Sequence, residues 1–329
     1  MHLKPLFIFL LALLFNQANC QIHQTYQQEG SVDYIDVSEN GEYIASCDNN
    51  KDFRVKLIAF ETGKIIKYFS GHHSGLSRVC ISNKGKLIAA GSWDGEIIVW
   101  DIESGKIISK LIGHKKVVIS IQFSKDETKV LSSSKDQTVK LWDISSSQTI
   151  KSFSTKSKRN SYANFSSDEK NIINGRGASN KKKDLGLLIW NVESGDMKSI
   201  QLEDQKNLHS ASYSPNGKYI VCTNDLNYKC ILLDANTFKV IRIFKGHTFW
   251  VYDFKFSPNM KYLFSCSHDK TIKIWNIENG KLEHTFIGHS KPIVSIDFGD
   301  NFKKLASSSV DKTIKIWNIP ERLKLTNQH

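Results

Sequence analysis

One short pattern recurs along almost the whole chain at a nearly constant interval. The stretches SWDGEIIVWDIESGKII, SKDQTVKLWDISSSQTI and SHDKTIKIWNIENGKLE each place an aspartate six residues before a tryptophan, which Asp or Asn follows. Tryptophans mark five copies, and Ile58 and Leu233 stand at the same place in two degenerate copies. The marks at 58, 100, 142, 190, 233, 275 and 317 are separated by 42, 42, 48, 43, 42 and 42 residues. This period predicts a chain built from repeated supersecondary units.

A second mark accompanies the first. A Gly-His pair lies 28 residues before four of the tryptophans, at Gly71-His72, Gly113-His114, Gly246-His247 and Gly288-His289. With the Trp-Asp marks and the period near 42, these pairs resemble the WD-repeat family. The resemblance covers about residues 22–319. It implies an all-β fold, a single seven-bladed β-propeller with four antiparallel strands in each blade.

Each copy also carries the local signals of a small sheet. The stretch VYDFKFSPNMKYLFSCSHDKTIKIWNI has three β-rich runs split by turn residues, and KLEHTFIGH supplies a fourth. Such a sheet is apolar on both faces, and a closed ring gives it a neighbour on each side. The last copy ends at Ile319 without a fourth strand, whereas residues 22–26 match the fourth-strand segment LEHTF. We therefore expect the N-terminal strand to close the last blade.

The first twenty residues differ from the repeats. A basic start with Lys4, an apolar run from Leu6 to Phe15 and a polar end at Cys20 have the layout of a secretory signal peptide. The apolar run is too short to span a membrane as a helix. We predict a cleaved signal peptide over residues 1–20, a propeller over 21–320 and a polar C-terminal tail over 321–329, in a secreted or periplasmic protein. An uncleaved anchor, a lipid-modified Cys20 and a mis-assigned start codon, which would leave a cytoplasmic scaffold, stay open.

Charge and cysteine content constrain the partner and the compartment only loosely. The net charge of +12 favours acidic partners or surfaces without naming one. Cleavage would leave five cysteines, so at least one thiol has no partner within the chain. Cys222 and Cys230 flank a predicted hairpin turn. They are either cross-strand neighbours or two small buried core residues.

The histidines, serines and aspartates of the repeats resemble catalytic triads, but they recur from copy to copy. The family resemblance implies instead a structural tetrad of His, Ser, Asp and Trp, in which the buried indole N–H finds an acceptor. The tetrad residues are His72, Asp94 and Trp100; His114, Ser132, Asp136 and Trp142; His247, Ser265, Asp269 and Trp275; and His289, Ser307, Asp311 and Trp317.

No other motif points to chemistry. The sequence contains no GxSxG, HExxH, GxxxxGK[ST] or CxxC motif, and it predicts no metal, cofactor or specific nucleic-acid site. We therefore expect a non-catalytic platform that binds a protein, a peptide or an anionic polymer. The alternative is an exported propeller enzyme of the hydrolase or lactonase type, with its site at the mouth of the channel.

Irregular positions within the repeat predict where a partner binds, because loops on a rigid framework carry function. The fourth copy has a longer basic turn, NGRGASNKKKDLG, and two tryptophans lie outside the repeat marks. Exposed Trp, Tyr and Arg side chains often carry interface energy. Solvated basic loops and tryptophans that only pack are the alternatives. The predicted partner-binding residues, all on one face of the ring, are Trp93, Lys115, Lys116, Lys156, Lys158, Arg159, Arg176, Lys181, Lys182, Lys183, Trp250, Tyr252 and His268.

The fifth copy lacks both marks of the repeat. Glu203-Asp204 stands where other copies have Gly-His, and Leu233 stands where they have Trp. We expect blade 5 to be the least braced, either as a mobile wall or through simple drift.

Overall fold

The computed structural model describes residues 22–49, 52–156, 160–176, 186–202, 208–224, 226–300 and 302–323. Their strands form seven antiparallel sheets of four strands, and each sheet is one blade of a ring. The predicted seven-bladed β-propeller is therefore confirmed. In blades 1–6 the strands pair in chain order, so that each blade begins with an inner strand and ends with an outer one.

The strands of the first four blades are as follows. Blade 1 contains β2 (Ser31–Val37), β3 (Tyr43–Asn49), β4 (Val55–Ala59) and β5 (Ile65–Phe69). Blade 2 contains β6 (Leu76–Ile81), β7 (Leu87–Ser92), β8 (Ile97–Asp101) and β9 (Ile107–Leu111). Blade 3 contains β10 (Val118–Phe123), β11 (Lys129–Ser134), β12 (Thr138–Asp143) and β13 (Thr149–Ser154). Blade 4 contains β14 (Asn160–Phe165), β15 (Asn171–Arg176), β16 (Gly186–Asn191) and β17 (Met197–Ile200).

The remaining blades follow the same plan until the last. Blade 5 contains β18 (Leu208–Tyr213), β19 (Tyr219–Asn224), β20 (Lys229–Asp234) and β21 (Val240–Phe244). Blade 6 contains β22 (Val251–Phe256), β23 (Tyr262–Ser267), β24 (Thr271–Asn276) and β25 (Leu282–Ile287). Blade 7 contains β26 (Ile293–Gly299), β27 (Lys304–Ser309), β28 (Thr313–Asn318) and, as its outer strand, β1 (Ile22–Gln27).

The N-terminal strand closes the ring, as expected. β1 runs antiparallel to β28, with Ile22 opposite Trp317 and Gln27 opposite Thr313. A 3-10 helix, Glu321–Leu323, follows the last strand, and Leu323 is buried in the apolar core between blades 6 and 7. The segment predicted as a polar tail therefore contains one packed residue, Leu323, and residues 324–329 lie outside the described part of the chain.

The hydrophobic core consists of seven clusters, one between each pair of neighbouring blades. In blade 2, for example, Trp100 packs toward blade 1 and Leu111 packs toward blade 3. The alternating side chains of each strand thus serve two different cores. A blade on its own would expose both apolar faces, so the blades are stable only as a ring.

Steric contact explains why glycine precedes histidine in the Gly-His pair. Gly246 has a φ of +151°, and a Cβ atom at this position would lie 3.1 Å from Cη2 of Trp275. Any larger residue would therefore meet the indole of its own blade in a backbone conformation that favours glycine.

The five described cysteines are buried free thiols. Cys222 lies opposite Ile231, and Cys230 lies opposite Thr223. The two cysteines are therefore one step apart in register and project to opposite faces of the blade. The alternative in which they face each other across the hairpin is wrong, and both are small core residues.

Candidate functional site

Loops divide the ring into two faces. The loops that lead into each inner strand, together with the turns between second and third strands, lie on one face, which we call the tetrad face. The turns between first and second strands and between third and fourth strands lie on the other, which we call the turn face. The Gly-His pairs and the Asp-containing turns belong to the tetrad face.

Three blades carry a fully bonded tetrad. In blade 3, Nδ1 of His114 lies 2.9 Å from Oδ2 of Asp136, and Nε2 lies 2.8 Å from Oγ of Ser132. The indole N–H of Trp142 donates to the same Ser132 oxygen over 2.7 Å. Blades 6 and 7 repeat this geometry with distances of 2.7–2.8 Å. The residues of these two tetrads are His247, Ser265, Asp269, Trp275, His289, Ser307, Asp311 and Trp317.

The direction of each hydrogen bond follows from the indole, which only donates. Because Trp142 donates to Ser132, the serine hydroxyl donates to His114, and the imidazole N–H donates to Asp136. Burial opposes the charge on Asp136, but the bonds from His114, Thr138 and the backbone N–H of Lys115 hold the pKa of its carboxyl well below the usual range. Ser132 is completely buried beneath the indole. The tetrad thus supports the blade and offers no nucleophile to a substrate.

The set of His72, Asp94 and Trp100 in blade 2 does not form such a tetrad. Ala90 stands where blade 3 has Ser132, so no hydroxyl joins the histidine to the indole. The indole N–H of Trp100 donates instead to the carbonyl oxygen of Ser70 over 3.0 Å. Asp94 accepts from Ser92 and from the backbone N–H of Glu96, not from His72. The expectation of a bonded tetrad here is wrong.

His72 is consequently a buried imidazole with incomplete bonding. Its Nε2 lies 3.2 Å from the carbonyl oxygen of Ala90, whereas Nδ1 has no hydrogen-bond partner and lies 3.6 Å from a Glu96 oxygen. Burial lowers the pKa of His72 from 6.5 to about 4. The imidazole is therefore neutral at physiological pH.

Three of the predicted partner-binding residues come together on the tetrad face. The rings of Trp250 and Tyr252 lie 5.8 Å and 6.0 Å from His268. Phe249 stacks on His268 at 4.4 Å, and Tyr228 of blade 5 stacks on Phe249 at 5.3 Å. We call these five residues the aromatic cluster. Sequence reasoning missed Phe249 and Tyr228, although the adjacent Phe249-Trp250 pair signalled an aromatic loop.

Trp93 lies apart from the aromatic cluster, at the position of blade 2 that His268 occupies in blade 6. Its backbone N–H donates to the carbonyl oxygen of Gly75 over 2.8 Å, as that of His268 donates to Trp250 over 2.9 Å. The Trp93 ring lies over Gly75, where a Cβ atom would be 3.2 Å from Cδ2. Trp93 and Trp250 remain 49 % and 43 % exposed, so both present apolar surface to solvent.

Lysines surround these aromatic residues. Among the described loops and turns of the tetrad face, Glu29 and Asp94 are exposed carboxylates and Asp52 and Glu96 are partly exposed ones, whereas the tetrad aspartates are bonded to histidines. Lysines are therefore the most frequent exposed charges on this face. Its exposed lysines are Lys115, Lys116, Lys135, Lys156, Lys245, Lys270, Lys291 and Lys312.

Several predicted residues cannot be placed in this arrangement. Arg176 ends β15. The other basic residues of the long fourth copy lie outside the described residues, as do residues 1–20 and Glu203-Asp204. These basic residues are Lys158, Arg159, Lys181, Lys182 and Lys183.

The central channel holds charged side chains that sequence reasoning did not single out. Asp36, Asp253 and Asp297 accept backbone N–H groups of the next blade at 2.8, 3.2 and 2.9 Å. Nζ of Lys255 lies 3.0 Å from Asp297. Burial opposes the charge on Lys255, but the nearby carboxylates outweigh it and raise its pKa well above the usual range. These groups join neighbouring blades. In the sequence, the polar residues that alternate along the inner strands indicated them.

Arg78 occupies the same channel. Its guanidinium lies 4.8 Å from the ring centroids of both Tyr34 and Tyr162, and it donates to the Tyr162 hydroxyl and to the Ser77 carbonyl oxygen. Within the described ranges, no group of three His, Cys, Asp or Glu side chains is arranged to hold a metal ion. No helix of the described chain is long and apolar enough to cross a membrane.

Two family descriptions match the chain. The "WD domain, G-beta repeat" matches residues 238–276 and 280–318. The propeller described as "Nucleolar protein 10-like, N-terminal domain" matches residues 12–202, more than half of the chain. The interval between these matches holds most of blade 5, the copy that lacks both repeat marks.

Similar proteins share only part of their length with this chain. "Periodic tryptophan protein 2 homolog" of Schizosaccharomyces pombe is 32 % identical over 69 residues, which are 21 % of this chain and 8 % of that protein. "Protein tipD" of Dictyostelium discoideum is 33 % identical over 97 residues, 30 % of this chain and 16 % of tipD. "Nuclear distribution protein PAC1-1" of Uncinocarpus reesii is 27 % identical over 124 residues, 31 % of this chain and 28 % of that protein.

The tetrad in blade 3 generates a stability prediction. Substituting Ser132→Ala removes the acceptor of the Trp142 N–H and the donor to His114, and leaves both groups buried. We expect the free energy of unfolding to fall by about 1–3 kcal/mol, measured by denaturant titration. The control Ser145→Ala removes an exposed bond to Asp143 and should change stability by less than about 0.5 kcal/mol. Equal effects of the two substitutions would contradict the structural role of the tetrad.

His72 generates a pH prediction. The folded protein holds His72 with a pKa of about 4, below its ordinary 6.5, so the unfolded chain binds more protons between these values. The contribution of neutral His72 to the free energy of unfolding is therefore fully present above pH 6.5. It falls as the pH drops toward 4, by up to about 3 kcal/mol. Denaturant titrations should show a shallower pH dependence for His72→Asn than for the wild type. The exposed neighbour provides the control, because His73→Asn should retain the full slope.

Proposed function

Because the chain belongs to the WD-repeat β-propeller family, we propose that it is a non-catalytic platform that binds a protein or peptide partner on its tetrad face. The single observation that carries this proposal is the half-exposed aromatic cluster around Trp250, set among lysines. Large rigid aromatic side chains supply much of the energy at protein interfaces, and basic surroundings attract acidic partners.

The geometry supports a partner with both apolar and acidic groups. Trp93 in blade 2 and Trp250 in blade 6 are both about half exposed on this face, so each can anchor an apolar group of a partner. Lys115 and Lys116 lie in the loop that follows blade 2, and Lys270 lies beside the aromatic cluster. An acidic protein or peptide segment satisfies both features, whereas a purely anionic polymer would use the lysines and leave the tryptophans unburied.

The contacts of the channel favour binding over catalysis. Its aspartates bond the backbone of neighbouring blades, and the tetrad serines are buried beneath indoles. A hydrolase or lactonase needs an acid, base or nucleophile aimed at one accessible point. Turnover of a lactone or ester panel by the pure protein would revive the enzymatic alternative.

Substitutions on the two faces test the proposed surface. Trp250→Ala removes an exposed anchor, and Lys115→Glu with Lys116→Glu reverses the charge on the same face. We expect each variant to lose at least about tenfold in affinity for partners captured by the wild type, because interface anchors contribute about 2 kcal/mol or more. Binding is measured with purified partner by calorimetry. Lys84→Glu on the turn face is the matched control and should bind as the wild type does.

Either of two results would contradict the proposal. If Lys84→Glu weakens binding and the tetrad-face variants do not, the partner uses the turn face. If only the lysine substitutions act and binding falls steeply with salt, the partner is an anionic polymer held by charge alone.

The compartment is a separate proposal. The layout of residues 1–20 supports export of a mature chain that starts at Gln21. The family match that begins at residue 12 overlaps this segment, which favours the cytoplasmic alternative.

The intact mass of the protein expressed from its own start codon decides between these alternatives. If residues 1–20 are a signal peptide, we expect a mass that begins at Gln21, in an exported fraction. A full-length mass in the cytosol would overturn export and direct the search for partners to intracellular complexes.

A further inference from the structure

Side chains of the inner strands connect neighbouring blades around most of the ring. In blade 3, Oγ of Ser120 accepts from the backbone N–H of Ala163 in blade 4 over 2.9 Å. Two residues further along the same strand, Gln122 accepts from the N–H of Phe165 over 2.9 Å. Blade 7 is joined to blade 1 at the same two places, where Ser295 donates to the Ile35 carbonyl and Asp297 accepts from the Val37 N–H.

Blade 5 has serines at both places, and neither reaches blade 6. Ser210 corresponds to Ser120 and Ser295, but its hydroxyl is buried without a hydrogen-bond partner, in a residue only 3 % exposed. Ser212 corresponds to Gln122, and its hydroxyl donates to the Tyr213 carbonyl of its own strand. Neither of these two serine hydroxyls therefore joins blade 5 to blade 6.

The spacing of the strands explains these missing bonds. The inner strands β18 and β22 approach each other less closely than the inner strands of any other neighbouring blades. A cavity of about 280 Å³ in the channel borders both strands; Ser210, Ser212, Asp253 and Lys255 line it together with residues of blades 1, 3 and 4. A groove of about 470 Å³ lies on the outer side of the same junction, lined by Tyr219, Arg242 and Met260 among others. A groove of about 410 Å³ also lies between blades 4 and 5, so the wider spacing of the inner strands, not the groove, distinguishes the junction of blades 5 and 6.

Contacts further from the channel hold blades 5 and 6 together. Cys230 and Leu232 of blade 5 pack with Leu263 and Trp275 of blade 6 in an apolar core. On the tetrad face Tyr228 stacks on Phe249, with ring planes 7° apart. At the outer rim Arg242 donates to the carbonyl oxygen of Glu278. The junction thus depends on side-chain packing, without the inner-strand bonds that support its counterparts.

We propose that the ring opens laterally between blades 5 and 6 before it opens anywhere else. Local opening is cheapest where the fewest buried bonds must break. The junction between blades 7 and 1, where the chain ends meet, is better secured because β1 pairs along β28 and Asp297 bonds Val37. Opening between blades 5 and 6 separates Tyr228 from Phe249, so it rearranges the aromatic cluster on the tetrad face.

The native cysteines report on this opening without any substitution. Cys230 lies in the core between blades 5 and 6, Cys222 between 4 and 5, Cys47 between 1 and 2, and Cys266 between 6 and 7. All four are buried free thiols, so an alkylating reagent reaches each one only when its own junction opens. Cys80 is not a suitable reporter, because it is already 7 % exposed in the closed ring.

The experiment is alkylation of the native wild-type protein with iodoacetamide, followed by peptide mass spectrometry over time. We expect Cys230 to be modified at least about tenfold faster than Cys47, Cys222 and Cys266. If all four thiols react together, opening is global unfolding and the proposal fails. If Cys47, Cys222 or Cys266 reacts first, the ring opens at another junction and the proposal also fails.

Two reciprocal substitutions test the cause. Ser212→Gln gives blade 5 the side chain that joins blade 3 to blade 4, and it should slow Cys230 at least about threefold while Cys47 is unchanged. Asp36→Ser gives blade 1 the residue of blade 5 and removes the acceptor of the Ile81 N–H, so it should accelerate Cys47 and leave Cys230 unchanged. If neither substitution changes the rate of its own thiol, these positions do not control the junctions.

Discussion

The structure depends on one constraint, which is that every blade has two apolar faces and can bury them only against its neighbours. The seven apolar clusters are therefore interfaces, and each contains residues from two blades. Alternating side chains of one strand pack against opposite neighbours. In blade 5, Cys222 packs toward blade 4, and Cys230 of the adjacent strand packs toward blade 6. Stability is in this sense a property of the closed ring, and β1 contributes by completing the blade that the C-terminal segment leaves one strand short.

Polar groups within this apolar ring follow a second rule, because each buried donor needs an acceptor. In blades 3, 6 and 7 one serine hydroxyl links a histidine to an indole, and the histidine is bonded to an aspartate. Blade 2 shows what happens without the hydroxyl: Trp100 turns to the backbone of Ser70, and His72 keeps an unpartnered nitrogen with a lowered pKa. The same residue types that would suggest catalysis in isolation therefore act as internal supports.

The proposed binding surface and the proposed opening both lie on the side of the ring that includes blade 5, where the repeat marks are missing. Blade 5 lacks the repeat marks, its inner strand stands away from blade 6, and the aromatic cluster bridges these two blades on the tetrad face. A partner that covers Tyr228 and Trp250 would rest on both sides of the most open junction. The regular blades supply the rigid frame against which that surface is held.

Much of this structure was determined by the sequence alone, because each copy of the repeat must bury the same two apolar faces. The period near 42 specified seven blades, the unmatched third strand at Ile319 specified a closing N-terminal strand, and residues such as His114 and Asp136 specified a tetrad wherever a serine stood between them. The failure in blade 2 traces to Ala90, which stands ten residues before Trp100, where Ser132, Ser265 and Ser307 precede their own tryptophans, so the sequence already contained this signal. Phe249 and Tyr228 come from different blades, and their stacking at 5.3 Å depends on how those blades sit side by side. The open junction is likewise a matter of tertiary structure. A serine occurs at the same inner-strand position in blades 3, 5 and 7, as Ser120, Ser210 and Ser295, but the distance to the next blade decided which hydroxyl found a partner.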